Sequence, residues 1–224
     1  MTQNNRIRKI WIYLLGIIGV PIILSIVFVI LQNTIGEDII SDGLALAVIN
    51  LMTYLIPFIF YIKLFGREIL EDRKQAKFVS VIKYLAIFIL ATFVYRFVES
   101  FFQTIPVSVN QETVNEVVDF NILIGIAVTC IMGPFVEEIV YRYMIQDWLD
   151  SRIKNKLIVI FISAAIFALI HMNELDIWIF GEYFVSGLVL TILYHRKHSI
   201  YTNILVHGMF NIVQMILSLL LAAI

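Results

Sequence analysis

Long apolar stretches recur along this chain at a length that suits a lipid bilayer. A crossing helix needs about 20 mostly apolar residues to span a hydrocarbon core of ~30 Å. Seven candidates fit: 10–31, 43–64, 79–98, 120–146, 156–172, 177–195 and 200–224. Their apolarity is continuous rather than alternating, which selects helices over barrel strands. The fifth is short, and the fourth is long and interrupted by Gly133-Pro134. Composition points the same way. Of 224 residues, 61% are hydrophobic and 15% charged, too little polar surface for a soluble domain of this size. The expected fold is an all-α polytopic membrane bundle.

Charge placement orients it. With the N-terminus in the cytoplasm, the inner side receives Arg6, Arg8, Lys9, Lys63, Arg67, Arg73, Lys74, Lys77, Arg152, Lys154, Lys156, Arg196 and Lys197, while the outer side receives Arg96 alone. The outer segments carry acids, among them Glu37, Asp38, Glu99, Glu112, Glu116, Asp119 and Asp176. This is the asymmetry of the positive-inside rule. The run 10–31 is too long for a signal-peptide core and no small-residue cleavage site follows it, so it reads as a span. The stretch 66–77 reads as a solvated connector, and 99–119 as a non-spanning segment with a short surface helix. A net charge of −1 gives no reason to expect nucleic acid as a partner, and the lone Cys130 forms no intrachain disulfide.

Polar residues in the last four spans are unlike the rest. The fourth holds Glu137, Glu138 and Arg142, the fifth ends at His171, and the seventh holds Asn203, His207 and Asn211. An ionisable group near the bilayer centre costs several kcal/mol, from ~3 to above ~10, and persists where it pairs, faces water or does work. Glu138 and Arg142 are four apart and share a helix face. Glu137, rotated by about 100°, lacks that arginine. His207 and Asn211 share a face by the same spacing, and Phe167 stands beside His171. A free carboxylate, two imidazoles and an amide in one cavity suit hydrolysis. Glu137 would act as general base on a water, with His171 orienting it, and His207 and Asn211 would donate to an oxyanion. The same histidines and Glu137 would also suit Zn²⁺. Spacing alone does not choose between these. Glu182 and Asn203 read as packing or cavity-lining residues, the tyrosines mainly as span filler, and His195 and His198 as part of a basic inner loop.

Glu137-Glu138-x-x-x-Arg142 after Gly133-Pro134, Phe167-x-x-x-His171, and His207-x-x-x-Asn211 together resemble the three-motif signature of the CAAX-protease and bacteriocin-processing family of intramembrane endopeptidases. Gly187-Leu188 and Tyr194 resemble a weaker pattern of the same family. The likeness covers roughly 130–215. It implies an N-terminal region of three spans (1–119) and a catalytic core of four (120–224). It implies Glu137 as catalytic base, His171 as its helper, His207 and Asn211 as the oxyanion hole, and Glu138 with Arg142 in support. The substrate implied is a membrane-associated protein or peptide, not necessarily prenylated, in a bacterial plasma membrane. Peptide maturation or bacteriocin self-immunity are the implied roles. The family is often called metalloprotease. No cofactor is required on the preferred reading, since neither di-glutamate nor His207-x-x-x-Asn211 resembles a zinc-helix motif. One departure is Tyr143, where the family usually has glycine, which would narrow the cavity at that turn. Depth is another matter: His171 lies toward the outer end of its span and His207 only a few residues inside its own. The rival from another class is a non-enzymatic immunity or transport-associated membrane protein.

Overall fold

The computed structural model describes residues 42–102, 108–172 and 175–222 and isolated positions between 19 and 34. The expected first span, 10–31, otherwise lies outside the described residues. Seven helical elements follow: α1 (Asp42–Asp72), α2 (Phe78–Glu99), α3 (Val109–Phe120), α4 (Ile122–Arg152), α5 (Lys156–His171), α6 (Ile177–Lys197) and α7 (Ile200–Ala222). Among the described residues, α1, α2, α4, α6 and α7 are long and apolar enough to cross a membrane, and the 16-residue α5 is a shorter apolar helix. Large apolar side chains such as Leu90, Phe93 and Phe161 point outward, as they do where the solvent is lipid. The chain is an integral, multi-pass helical membrane protein.

The surface helix expected within 99–119 is α3, whose first turn is capped by Ser108 Oγ accepting from the Gln111 amide at 3.1 Å. The connector at 66–77 differs from expectation. α1 runs on to Asp72 and closes in a 3₁₀ turn at Arg73–Gln75, leaving only 76–77 extended. The reason is local: Arg, Glu and Leu are good helix formers and no breaker follows Gly66. Arg67 and Glu71 pair at 3.4 Å along that extra length. The extension has a use at the other end of the chain. Asp72 accepts from the Tyr201 amide at 2.9 Å and from Ser199 Oγ at 3.1 Å, capping α7.

α4 is continuous through Gly133-Pro134 but not regular. Two π-helical stretches, Ile126–Met132 and Ile139–Gln146, flank an α-helical piece, Gly133–Glu138. Proline has no N–H to donate, so a helix passing through it must re-register its backbone bonds. Here the Gly133 amide reaches back five residues to the Val128 carbonyl. In the same register Pro134 would have bonded the Thr129 carbonyl. That oxygen instead accepts Asn211 Nδ2 from α7 at 2.8 Å. The neighbouring Cys130 carbonyl lies 2.6 Å from where a Cβ on Gly208 would be, so only glycine lets α7 approach there.

Between membrane helices the apolar driving force is weak, and close packing with interhelical hydrogen bonds takes its place. Gly187 on α6 illustrates it. A Cβ there would lie 3.0 Å from the Ala164 carbonyl and 3.3 Å from Phe167 of α5, the helix on which α6 packs most extensively. A second apolar cluster joins α2, α6 and α7, with Phe88 and Phe210 stacked at 3.7 Å.

Candidate active site

Depth is resolved by where α5 and α7 begin. Glu137 lies fifteen residues before the end of α4 and His171 fifteen residues after the start of the antiparallel α5, so the two stand level. His207 is only seven residues into α7, yet Ser199, Ile200 and Thr202 are already buried. The first turn of α7 is recessed beneath the extended end of α1, which brings His207 to the same level.

Two carboxylates of one helix turn then part ways. Glu138 is fully buried and holds three partners: His207 Nδ1 at 2.8 Å, Asn203 Nδ2 at 3.1 Å and Arg142 Nε at 3.3 Å. The arginine contact is an ion pair without hydrogen-bond alignment, since Nε and Nη1 have no hydrogen-bond partner. Arg142 also gives Nη2 to the Gly187 carbonyl at 3.4 Å and lies 4.7 Å above the Phe167 ring. Asn203 is shared, donating at 2.8 Å to the Leu190 carbonyl as well.

Glu137 faces the other way, into a cavity of about 280 Å³ that His171, His207, Tyr54, Tyr183 and Asn211 also line. Its Oε2 is 3.6 Å from His171 Nε2 and 3.8 Å from His207 Nε2. Each imidazole has its other nitrogen engaged. His171 Nδ1 bonds the Phe167 carbonyl at 2.7 Å and His207 Nδ1 bonds Glu138. Those acceptors require Nδ1–H donors, which turns both Nε2 atoms toward Glu137. The structure thus brings Glu137, His171 and His207 together. Asn211 lines the same cavity with one amide hydrogen committed to Thr129, leaving the other N–H.

Residues 119–213 match the model of the Rce1-like, type II CAAX prenyl endopeptidase family. Over those residues, fewer than half of its length, the chain is similar to that family. UPF0177 protein YvdC of Lactococcus lactis is 30% identical over 117 residues, covering 52% of this chain and 43% of the relative. The UPF0177 protein in the abiGi 5' region of Lactococcus lactis subsp. cremoris is 30% identical over 127 residues, covering 57% of this chain and 52% of the relative. UPF0177 protein YbdJ is 30% identical over 92 residues, with 41% and 38% covered. The chain spans about half or less of the length of the curated relatives it matches. No solved structure matches it significantly. The family whose model matches is a protease family, and the match lies on the segment that carries Glu137, His171 and His207.

Zinc is the alternative use of Glu137, His171 and His207. Bonds of ~2.0–2.2 Å put tetrahedral donors about 3.3–3.6 Å apart. The Glu137 oxygen is at the upper end of that span from His171 and beyond it from His207, and among the described residues no three His, Cys, Asp or Glu side chains are disposed to hold a metal ion.

Several site residues escaped sequence reasoning. Asn203 is the anchor of Glu138 rather than general packing. Tyr54 and Tyr183, read as filler, line the cavity, and Tyr183 stacks on His171 at 5.0 Å while meeting Ser108 Oγ at 3.0 Å. Their only signal was position: Tyr183 follows Glu182 directly. Tyr143 does not narrow the cavity. It turns away to bond Glu68 and meet Phe65 edge-on at 5.3 Å, clasping α4 to the extended end of α1.

Proposed function

We propose that the chain hydrolyses a peptide bond of a membrane-associated protein or peptide, using a water activated by Glu137. The observation that carries this reading is the gap around Glu137 Oε2. Separations of 3.6 and 3.8 Å are too long for direct hydrogen bonds and suit a bridging water. Such a water would touch a carboxylate that accepts its proton and an imidazole nitrogen of His171 that accepts its second hydrogen.

Glu137 takes the proton as the water oxygen bonds to the scissile carbonyl carbon. The carbonyl electron pair moves onto oxygen. His207 Nε2–H and the remaining Asn211 N–H stabilise that oxyanion, an effect worth roughly 10²–10³ in rate per donor elsewhere. With Nδ1 already a donor to Glu138, donation from Nε2 requires the imidazolium form. Collapse of the intermediate breaks the C–N bond, and the proton on Glu137 passes to the departing amine. Glu138, Arg142 and Asn203 position His207 and touch no reacting atom. The substrate's identity belongs to this proposal, with maturation of a peptide or self-immunity as the cellular role.

The test compares released peptides and new protein termini, by mass spectrometry, between cells carrying the wild-type chain and Glu137→Gln at matched abundance. Peptides that vanish only in the variant support hydrolysis. An abundant variant that retains the full peptide set and phenotype would return the chain to a non-enzymatic immunity or transport-associated role.

A further inference from the structure

Among the described residues, the lining of the cavity extends from Glu137 toward one end of the bundle. Asn50 and Tyr54 line it from the first half of α1, Arg96 from the end of α2, Glu182 from the start of α6 and Ser218 from the end of α7. All lie toward the end where α3 sits, away from the basic connections after α1, α4 and α6. Along α7, His207, Asn211, Gln214 and Ser218 follow the i, i+4, i+7, i+11 spacing of one helical face, and all four line the cavity. His207 to Ser218 rises about 16 Å at 1.5 Å per residue. An extended peptide covers that length in about five residues. A polar stripe on a membrane helix is costly unless it meets water or a hydrogen-bonding backbone.

Charge gives the stripe a sign. Among the described residues lining the cavity, Arg96 is the sole lysine or arginine, and its charge is already shared. Nη1 meets Glu99 Oε2 at 2.9 Å and Nη2 meets Glu182 Oε1 at 2.6 Å. Glu99 is fully buried, and among the described residues its Oε1 has no hydrogen-bond partner. Two carboxylates therefore lean on one guanidinium, one of them with an unfilled acceptor. Asp119 lines the same cavity, and α3 presents Glu112, Glu116 and Asp119 exposed on one face.

We infer that the cavity admits an extended peptide from the α3 end and prefers one carrying lysine or arginine within about five residues of the bond at Glu137. The stripe on α7 lies along the peptide backbone, and the Arg96–Glu99–Glu182 cluster takes the cationic side chain. The charge rule assigns that end to the outside of the cell, so the basic flank would be extracellular. This rests on the hydrolase reading for the word substrate, but peptide binding can be read separately.

The experiment uses the full chain in lipid nanodiscs and three membrane-anchored fluorescent peptides that differ only in a flank of two Lys, two Gln or two Glu. Binding is measured by anisotropy on Glu137→Gln, and cleavage on the wild type. The Lys peptide is expected to bind and be cleaved about tenfold better than the Glu peptide, with Glu182→Gln cutting that ratio to about threefold. Cleavage of all three at equal rates overturns the inference and leaves the hydrolase standing. Selective binding of the Lys peptide without cleavage of any supports the inference and sinks the hydrolase. Binding of none overturns the cationic preference outright.

Discussion

Glu137 and Glu138 leave the same helix turn for two regions that differ in water and in partners. On one side is a sealed network in which Glu138, Arg142 and Asn203 are fully buried. On the other is a cavity wall where Glu137, with 17% of its side chain exposed, keeps only distant imidazole neighbours. His207 belongs to both, with Nδ1 in the sealed network and Nε2 at the cavity. A buried ion pair is weak evidence for stability, because desolvation can cancel its attraction. The difference between the two regions suggests another use for it. The sealed half fixes the ring that the open half needs, and in return absorbs the arginine that would otherwise neutralise Glu137.

The largest effect should separate the two carboxylates. Glu138→Ala leaves Arg142 buried without its counter-ion, a change that typically costs about 3–5 kcal/mol. Thermal unfolding of the purified membrane protein should register that loss, while Glu137→Gln stays within about 1 kcal/mol of wild type. The double variant Glu138→Ala/Arg142→Met removes both charges and should recover most of the stability but none of the turnover, since His207 is left unanchored. Recovery of both would mean that the network serves packing alone.

Next in size is His171. His171→Gln should lower turnover by about 10²–10³-fold with unfolding temperature nearly unchanged, because its main-chain bond to Phe167 is local to α5. Quenched-peptide cleavage at saturating substrate reads this directly. A loss of stability equal to that of Glu138→Ala would put His171 in the sealed half instead.

Asn211 lies on the boundary. Asn211→Ala removes the bond to the Thr129 carbonyl, worth roughly 1 kcal/mol, and also the remaining N–H aimed at the oxyanion. Both readouts should therefore move, stability slightly and turnover by about tenfold or more. If stability alone moves, the amide is a helix latch and the oxyanion rests on His207.

These contrasts also separate what the sequence disclosed from what it hid. That Glu137 lacks the arginine of Glu138 was legible, because four-residue spacing and a 100° rotation survive any membrane fold. So was the helical class, and Glu137, His171, His207 and Asn211, singled out on α4, α5 and α7, line one cavity. Asn203 was not, because whether an amide on a packed helix meets a carboxylate depends on the depth of α7, and that depth is set by Asp72 on a helix far away in the chain. The π-helical stretches of α4 were equally hidden. Apolar residues all round a membrane helix give no periodicity to read, and only Pro134 hinted that backbone bonds would shift. The Arg96–Glu99–Glu182 cluster joins residues more than eighty positions apart, a distance at which spacing is silent.

The smallest effect concerns Tyr143, where the family resemblance implies a narrowed cavity and the fold turns the ring away. Its hydroxyl meets Glu68 on the part of α1 that the sequence assigned to a solvated connector. Tyr143→Phe should cost about 0.5–1.5 kcal/mol, the net worth of one hydrogen bond, with turnover unchanged. Tyr143→Gly, which restores the family residue, should cost more by also deleting the contact with Phe65, and should still not raise turnover. If the glycine variant is faster on a bulky peptide, the ring does reach the cavity during the reaction. In that case the clasp between α1 and α4 opens as part of substrate entry, and the sealed and open halves are coupled through α4 as well as through His207.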